Sequence, residues 1–309
     1  MLRMKRVLVC ILAVALIMAA GACGQQGGKK TVEDTLVIYE GQFSEMWIIH
    51  HMVKLLVEEH TGAKVEIRDE MAPPNSYSEI IRGNADLMNC YDGTLLTTFL
   101  HLDPSDVPAG VSLYDFVNEQ GAEKGVMLLD KLGTNNTYIM ATPMHTAERL
   151  NLKTTSDLVP VANELVFGAE HDFFTEEGSA KFNPLIAFYG LKFKDVRQID
   201  MSLKYAAIDN GSIDVTVAYA TDGRNRQADL KLLEDDLKFF PEYNGAILVR
   251  TDLFDRLHEV APILKEVLNM LGGIFTDDLM VGLTYAVDIE ERSVAEVSAE
   301  YLRNMGLIS

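Results

Sequence analysis

Cysteine is scarce in this chain of 309 residues, which contains Cys10, Cys23 and Cys90 and no others. Two of the three lie near the N-terminus, so Cys90 alone remains for a folded body. A disulfide framework needs paired cysteines, and structural zinc sites need clustered Cys and His ligands. The count excludes both kinds of site, and Cys90 is predicted to be a small buried residue.

Basic residues are also in deficit, with 27 Lys and Arg against 46 Asp and Glu, for a formal net charge of −19. A protein that binds nucleic acid needs Lys and Arg to neutralise phosphates. The charge balance therefore argues against a nucleic-acid partner. It is compatible with a small cationic ligand, although an acidic surface also serves solubility alone.

Recognisable catalytic motifs are missing too. The sequence has no Gly-rich phosphate loop, no Gly-x-Ser-x-Gly nucleophile elbow and no His-Glu-x-x-His metal motif. His50 and His51 are adjacent, so on a helix their side chains point about 100° apart rather than onto one face. We therefore predict no catalytic residue, no metal and no cofactor, and an extracytoplasmic enzyme remains only as a rival hypothesis.

The N-terminus has the pattern of an export signal. Three basic residues precede the unbroken apolar run Val7–Met18, and small residues then lead to Cys23. This layout predicts a signal peptide over residues 1–22 and a lipid on Cys23, because the apolar run is too short for a membrane span. An ordinary export signal with an incidental cysteine is the alternative. Residues 23–34 are predicted to form a flexible, lipid-anchored tether.

Beyond the tether, short apolar runs alternate with helical patterns. Strands are predicted at 36–39, 64–68, 85–90, 126–129, 138–141, 165–168, 196–201, 213–219, 230–233 and 246–249. Alternating strands and helices predict an α/β body whose sheets are mostly parallel and covered on both faces. The first helix is predicted at 43–60, with Ser44 as its N-cap and Glu45 favouring the positive end of the helix dipole. The next helix is predicted at 77–82, before Gly83.

Four tyrosines lie where strands end or in loops with turn residues: Tyr91, Tyr138, Tyr219 and Tyr243. A tyrosine taken singly is usually core or rim filler. Ligands of α/β sheets bind beyond strand ends, so some of the four can converge on one cleft. Electron-rich ring faces suit a quaternary ammonium group, which donates no hydrogen bond, and each desolvated ring contributes on the order of 1–2 kcal/mol.

The tyrosines belong to a series of short stretches whose order and spacing are specific. The stretches are 43–45, 85–87, 91–94, 135–138, 165–169, 203–205, 213–215, 218–223, 233–236 and 239–243. On these stretches, residues 35–309 resemble the substrate-binding proteins of ABC importers for glycine betaine, choline, carnitine and proline betaine.

The resemblance implies a two-lobed, periplasmic-binding-protein-like (type II) α/β fold, with two doubly wound sheets and a hinge. One lobe is expected to comprise residues 35–137 and 240–309, and the other residues 138–239. The four tyrosines would form a box around a trimethylammonium group, with the backbone carbonyl of Asn136 turned toward the cation.

The function implied is that of a monomeric, non-catalytic receptor that needs no cofactor and delivers a small cationic ligand to an ABC permease. It would work outside the cytoplasmic membrane, either anchored to its outer face or periplasmic. A receptor of the same fold for a different ligand, and a ligand-loaded partner of a membrane sensor, remain alternatives.

Two departures from the family bear on the ligand. Betaine-binding relatives often carry an Arg after a Phe-Phe pair, whereas Phe174 here is followed by Thr, Glu176 and Glu177. Asp92 replaces the Thr common after the first box tyrosine and is expected to add negative charge beside the cation. We therefore predict a ligand without a carboxylate, such as choline, while Arg224 or Arg226 remains an alternative source of positive charge.

Overall fold

The computed structural model describes residues 34–174, 180–200 and 203–309. The predicted signal peptide, Cys23, most of the tether, and Glu176 with Glu177 lie outside the described residues, so the statements about them stay predictions. Within the described ranges, no helix combines the length and the apolar composition needed to cross a membrane.

The described residues contain ten strands in four small sheets. The strands are β1 Thr35–Tyr39, β2 Lys64–Arg68, β3 Leu87–Tyr91, β4 Val126–Leu128, β5 Tyr138–Pro143, β6 Val166–Glu170, β7 Asp195–Ile199, β8 Thr216–Tyr219, β9 Leu230–Leu233 and β10 Gly245–Arg250. Their orders are β1-β2, β3-β10-β4, β8-β5-β9 and β6-β7.

Helices alternate with these strands as predicted. The α-helices are α1 Ser44–His60, α2 Pro73–Arg82, α3 Asp92–Thr94, α4 Leu113–Ala122, α5 Met144–Leu150, α6 Phe182–Tyr189, α7 Lys204–Asp209, α8 Arg224–Gln227, α9 Leu253–Arg256, α10 Leu264–Asn269, α11 Asp277–Asp288 and α12 Val294–Asn304. A π-helical turn, Leu95–Phe99, continues α3, and short 3₁₀ turns lie at Pro104–Asp106, Thr155–Leu158, Ala162–Glu164 and His171–Phe174.

The prediction that the sheets are mostly parallel is wrong. β1 pairs with β2 and β6 with β7 in parallel, but the other four strand pairs are antiparallel. The central strands β10 and β5 make all four antiparallel pairs, and each is the strand by which the chain enters one lobe from the other. A strand that arrives from the opposite lobe runs against its neighbours, and this direction cannot be read from hydrophobic periodicity.

Separate hydrophobic cores confirm two lobes. The first lobe packs α1 and α9 to α12 against β1–β4 and β10, around side chains such as Ile48 and Leu268. The second lobe packs α5 and α6 against β5–β9, around fully buried Phe167 and Phe173. Removing these large apolar side chains from water stabilises the core of each lobe. The exact lobe boundaries stay predictions.

The two lobes are joined by a pair of adjacent crossing segments, one before β5 and one before β10. The amide of Asn136 donates to the carbonyl of Tyr243 at 3.0 Å, and the amide of Gly245 donates to the carbonyl of Thr134 at 3.0 Å. The predicted hinge therefore consists of two short strand-like segments held side by side. It places Asn136 and Tyr243 at the junction of the lobes.

Two helix starts differ from the sequence prediction. The N-cap of α1 is Phe43, which lacks a capping side chain, while the Ser44 hydroxyl donates to Asp288 at 2.7 Å. Ser44 is therefore not the N-cap. Helix α2 begins at Pro73 rather than near Tyr77. Proline is tolerated in a first helical turn because the amides there have no partner within the helix.

Candidate functional site

A cavity of about 470 Å³ lies between the lobes. Its lining combines the start of α1, the ends of β3 and β8, the hinge and the C-terminal half of α11. The lining residues are Gln42, Phe43, Ser44, Glu45, Tyr91, Thr94, Asn136, Tyr219, Thr221, Asp222, Arg224, Tyr243, Thr284 and Asp288. The volume suits a small organic molecule.

The first lobe contributes the ring pair Tyr91 and Tyr243, whose centroids are 5.9 Å apart. Tyr91 ends β3 opposite Gly245 of β10, so the antiparallel ladder fixes its position. The ring of Tyr243 lies so close to Gly93 that a Cβ there would stand 2.2 Å from it. Burial raises the pKa of both phenols, so their hydroxyls stay protonated at neutral pH.

The second lobe contributes Tyr138 and Tyr219, which are directly opposite each other in the β5–β8 ladder. Their ring centroids are 5.0 Å apart and their hydroxyl oxygens 3.3 Å apart. Tyr219 lines the cavity, whereas Tyr138 stands behind it. The ring of Tyr138 makes an edge contact with Phe173 at 5.3 Å and lies 6.1 Å from Phe240.

The structure therefore brings Tyr91, Tyr219, Tyr243 and Asn136 to one cavity, and places Tyr138 beside Tyr219 but outside the lining. That these residues form a box around a cation stays a prediction. The Asn136 side chain faces the cavity, and its Nδ2 lies 3.4 Å from the Tyr91 hydroxyl. The orientation of the Asn136 carbonyl toward a cation stays a prediction.

Asp92 does not line the cavity. It is fully buried, and its carboxylate accepts hydrogen bonds from the Asn244 side chain at 2.7 Å and from the amides of Asn244 and Gly93 at 2.9 and 2.8 Å. These contacts tie the turn after β3 to the segment that carries Tyr243. Asp92 thus helps to position a box residue and does not face the cavity.

Cys90 is buried, as predicted, and is a free cysteine. Desolvation by burial raises the pKa of its thiol. A buried, protonated thiol is a poor nucleophile and metal ligand, so Cys90 acts as a core residue.

Sequence reasoning missed the acidic part of the lining. Glu45, which was assigned to the helix dipole, is 2 % exposed and lies inside the cavity. Its Oε2 accepts hydrogen bonds from the Thr221 hydroxyl at 2.5 Å and from the side-chain Nδ2 of Asn136 at 3.3 Å. Desolvation raises the pKa of the Glu45 carboxyl to about 7, against the opposing effect of the neighbouring Thr221 and Tyr91 hydroxyls.

Arg224 is the one cation among the described residues that line the cavity. Its Nη2 lies 2.7 Å from Asp222 Oδ2, and its Nε lies 3.0 Å from Oδ1, so both carboxylate oxygens hold the guanidinium. The Tyr205 hydroxyl donates to the same carboxylate at 2.8 Å. Arg226 is not among the lining residues. Its guanidinium lies 5.0 Å from the Tyr285 ring centroid.

Direct contacts close one side of the cavity by joining the loop after β8 to α11. The Thr284 hydroxyl donates to the carbonyl of Thr221 at 3.0 Å. The backbone of Gly223 packs so tightly that a Cβ there would lie 2.4 Å from the amide nitrogen of Tyr285. The lobes thus touch through backbone as well as side chains on this side of the cavity.

Comparisons with known proteins agree with this architecture. Residues 34–304 match the family described as the substrate binding domain of the ABC-type glycine betaine transport system. The carnitine transport binding protein OpuCC of Listeria monocytogenes is 30 % identical over 311 residues, which cover 97 % of each chain. The ergothioneine transport permease/ergothioneine binding protein EgtU of Helicobacter pylori is 29 % identical over 276 residues, or 89 % of this chain and 48 % of that protein.

Among solved structures, a glycine betaine/carnitine/choline ABC transporter chain superimposes with a TM-score of 0.78 at 27 % sequence identity. The match covers 89 % of this chain and all of the other. Similarity at this level in both sequence and fold supports the same two-lobed, type II architecture.

Proposed function

The chain belongs to the family of substrate-binding domains of ABC-type glycine betaine transport systems, and from that premise we propose that it captures a quaternary ammonium compound outside the cytoplasmic membrane for an importer. The family is one of transport-binding proteins rather than enzymes. Carnitine and ergothioneine, for which two relatives are named, both carry a trimethylammonium group.

One observation carries the proposal: three tyrosine rings line a cavity that also contains three carboxylic acids. Ring faces attract a cation electrostatically, and the attraction is strongest where water is excluded. Micromolar affinity requires about −8 kcal/mol, and three rings at roughly 1–2 kcal/mol each, with shape burial, can supply it after ordering costs.

We expect a choline-like ligand in preference to a betaine. Glycine betaine and carnitine each carry a carboxylate, which needs a positive partner in a desolvated site. The only lining cation of the described residues, Arg224, is already held by both oxygens of Asp222. Asp288 and Glu45 would repel a ligand carboxylate further while they are ionised.

A thermal-shift panel tests this function on the mature chain. The compounds are choline, glycine betaine, carnitine, proline betaine and ergothioneine. A ligand at 100 times its dissociation constant adds about 2.7 kcal/mol to the free energy of unfolding, which raises the melting temperature by roughly 5 °C or more in a protein of this size.

We expect choline to give the largest shift. A larger shift with glycine betaine would overturn the choline preference but leave the quaternary ammonium function standing. No shift with any of the five compounds would overturn the function. Transfer to a permease, monomeric state and the lipid on Cys23 stay part of the proposal.

A further inference from the structure

Glu45 has one oxygen that the protein does not satisfy. Its Oε2 accepts the Thr221 hydroxyl, but its Oε1 is buried and has no hydrogen-bond partner among the described residues. The side chain is 2 % exposed and belongs to the cavity lining. A buried polar atom without a partner destabilises the fold unless a ligand or a proton satisfies it. Oε1 is therefore the atom on which a proton would sit, in a carboxyl group that belongs to the cavity lining.

The charges around Glu45 are acidic on balance. Asp277 at the start of α11 raises the pKa of the Glu45 carboxyl, and the Tyr91 hydroxyl from β3 faces the same group. Across the cavity lie Asp288 of α11 and the Asp222–Arg224 pair, whose charges offset each other. The described lining offers no unpaired cation to Glu45. The empty cavity therefore favours the protonated form of the carboxyl.

We infer that Glu45 is the counter-charge for the ligand's quaternary nitrogen and that it releases a proton to solvent when that cation binds. This inference rests on the proposed function. A permanent positive charge in the same desolvated cavity favours the ionised carboxylate. In the step, the O–H bond of the carboxyl breaks and the proton passes to the buffer, while the ligand keeps its charge and covalent structure.

Linkage fixes the sign of the pH dependence. Below the carboxyl's pKa the cation must displace a proton, so affinity rises with pH, by at most tenfold for each unit. Above that pKa the carboxylate is already ionised and affinity levels off. A protonated Glu45 that instead donated a hydrogen bond to a ligand carboxylate would give the opposite slope.

The test is calorimetric titration of tetramethylammonium chloride, which has a permanent charge, no titratable group and no hydrogen-bond donor. Choline chloride serves as the second ligand. Titrations at pH 5.5, 6.5, 7.5 and 8.5 give the affinity profile. At pH 6.5, two buffers with different ionisation enthalpies give the number of protons released.

For the wild-type protein, we expect at least a tenfold gain in affinity from pH 5.5 to 8.5 and release of a substantial fraction of one proton at pH 6.5. Glu45→Gln should bind with a flat pH profile and should be at least tenfold weaker than wild type at pH 8.5. Asp288→Asn, which changes another lining carboxyl, should keep the wild-type slope. Glu119→Gln, on the exposed face of α4, controls for net charge.

Binding of both cations without a pH slope and without proton release would overturn the inference and leave the proposed function intact. The wild-type proton count decides this even if Glu45→Gln does not fold. Equal affinities of Glu45→Gln and wild type at pH 8.5 would also overturn it. No binding of either cation would overturn the inference, and it would overturn the proposed function as well only if none of the five compounds in the thermal-shift panel bound either.

Discussion

The two tyrosine pairs of the cavity are built in different ways. In the first lobe, Tyr91 and Tyr243 both line the cavity, and each is fixed by backbone: Tyr91 by the β3–β10 ladder and Tyr243 by its contact with Gly93. In the second lobe, only Tyr219 lines the cavity, and Tyr138 backs it at 5.0 Å. We call the pair Tyr91 and Tyr243 the first wall of the cavity, and the pair Tyr219 and Tyr138 the second wall. Both rings of the first wall face the cavity, whereas in the second wall only the Tyr219 ring faces it and Tyr138 lies behind.

This difference separates contact from support. Loss of a ring from the first wall would remove a face that the proposed ligand contacts. The Tyr138 ring of the second wall packs between Tyr219 and Phe173. Its loss would remove the support that holds Tyr219 in place. The two lobes also meet directly, through Glu45 with Thr221 and through Gly223 with Tyr285. Four variants, one of them a double substitution, can break or sharpen the comparison.

The largest effect should come from removing one contact ring on each side. We expect Tyr91→Ala combined with Tyr219→Ala to weaken choline binding by about 100-fold or more, because each ring supplies roughly 1–2 kcal/mol and 1.4 kcal/mol corresponds to tenfold. Calorimetry measures the affinity, and circular dichroism checks the fold. Phe188→Ala, at an aromatic residue that is exposed and outside the cavity, is the control. Wild-type affinity in the double variant would exclude the box.

Glu45 should make the empty protein less stable at high pH. The folded-state pKa of about 7 lies above the ordinary value of 4.5, so the stabilising contribution is complete below pH 4.5 and is lost as the pH rises through 7. From pH 5.5 to 8, the wild-type free energy of unfolding should therefore fall by about 2 kcal/mol relative to Glu45→Gln.

Urea unfolding without ligand measures this difference, and Glu119→Gln again controls for charge. If the free energies of unfolding of wild type and Glu45→Gln change in parallel with pH, the pKa of the Glu45 carboxyl is not raised in the folded protein.

The contact between the loop after β8 and α11 can be tested by a substitution that leaves all the tyrosines in place. In Gly223→Ala, the new Cβ would lie 2.4 Å from the backbone of Tyr285, so the lobes must move apart. We expect choline affinity to fall about tenfold, since lobe separation readmits water to the rings and weakens cation–π attraction. Small-angle scattering should show a larger radius of gyration.

Gly282→Ala in α11 is the matched control, because a Cβ there meets nothing within 4 Å. Its binding should match wild type. If Gly223→Ala also binds like wild type, the contact between the loop and α11 does not govern closure.

The smallest effect should come from the backing ring. Tyr138→Leu keeps an apolar side chain behind Tyr219 but removes the ring and its hydroxyl, which lies 3.3 Å from that of Tyr219. We expect a loss of affinity of about threefold, well below that of Tyr219→Ala alone, in the same calorimetric assay. An equal loss in the two single variants would mean that Tyr138 contacts the ligand, and the two walls would then be alike.

Much of the cavity could be predicted because its tyrosines occur beside local signals. Tyr91 and Tyr219 end strands and are followed by turn residues, and this pattern identifies strand exits without knowledge of the topology. Strand direction could not be predicted, because it depends on the chain crossing between lobes before β5 and β10. The sequence also could not predict which of Tyr138 and Tyr219 lines the cavity. The two residues are direct partners in one ladder, so both lie at the same end of the sheet.

Glu45 shows why charges are harder to predict than rings. An acid in the first turn of a helix has an ordinary explanation in the helix dipole. In the fold it is buried and accepts a hydrogen bond from Thr221, which is 176 residues away in the sequence. Asp92 shows the converse error: it follows a box tyrosine directly, yet Asn244 and Gly93 satisfy its carboxylate away from the cavity.

The most direct measurement compares choline with 3,3-dimethylbutan-1-ol, in which a neutral carbon replaces the charged nitrogen at nearly the same shape. If the rings and Glu45 recognise a permanent positive charge, choline should bind the wild-type protein at least about 100-fold more tightly in calorimetry. Comparable affinities for the two compounds would contradict the account, because the cavity would then recognise shape alone.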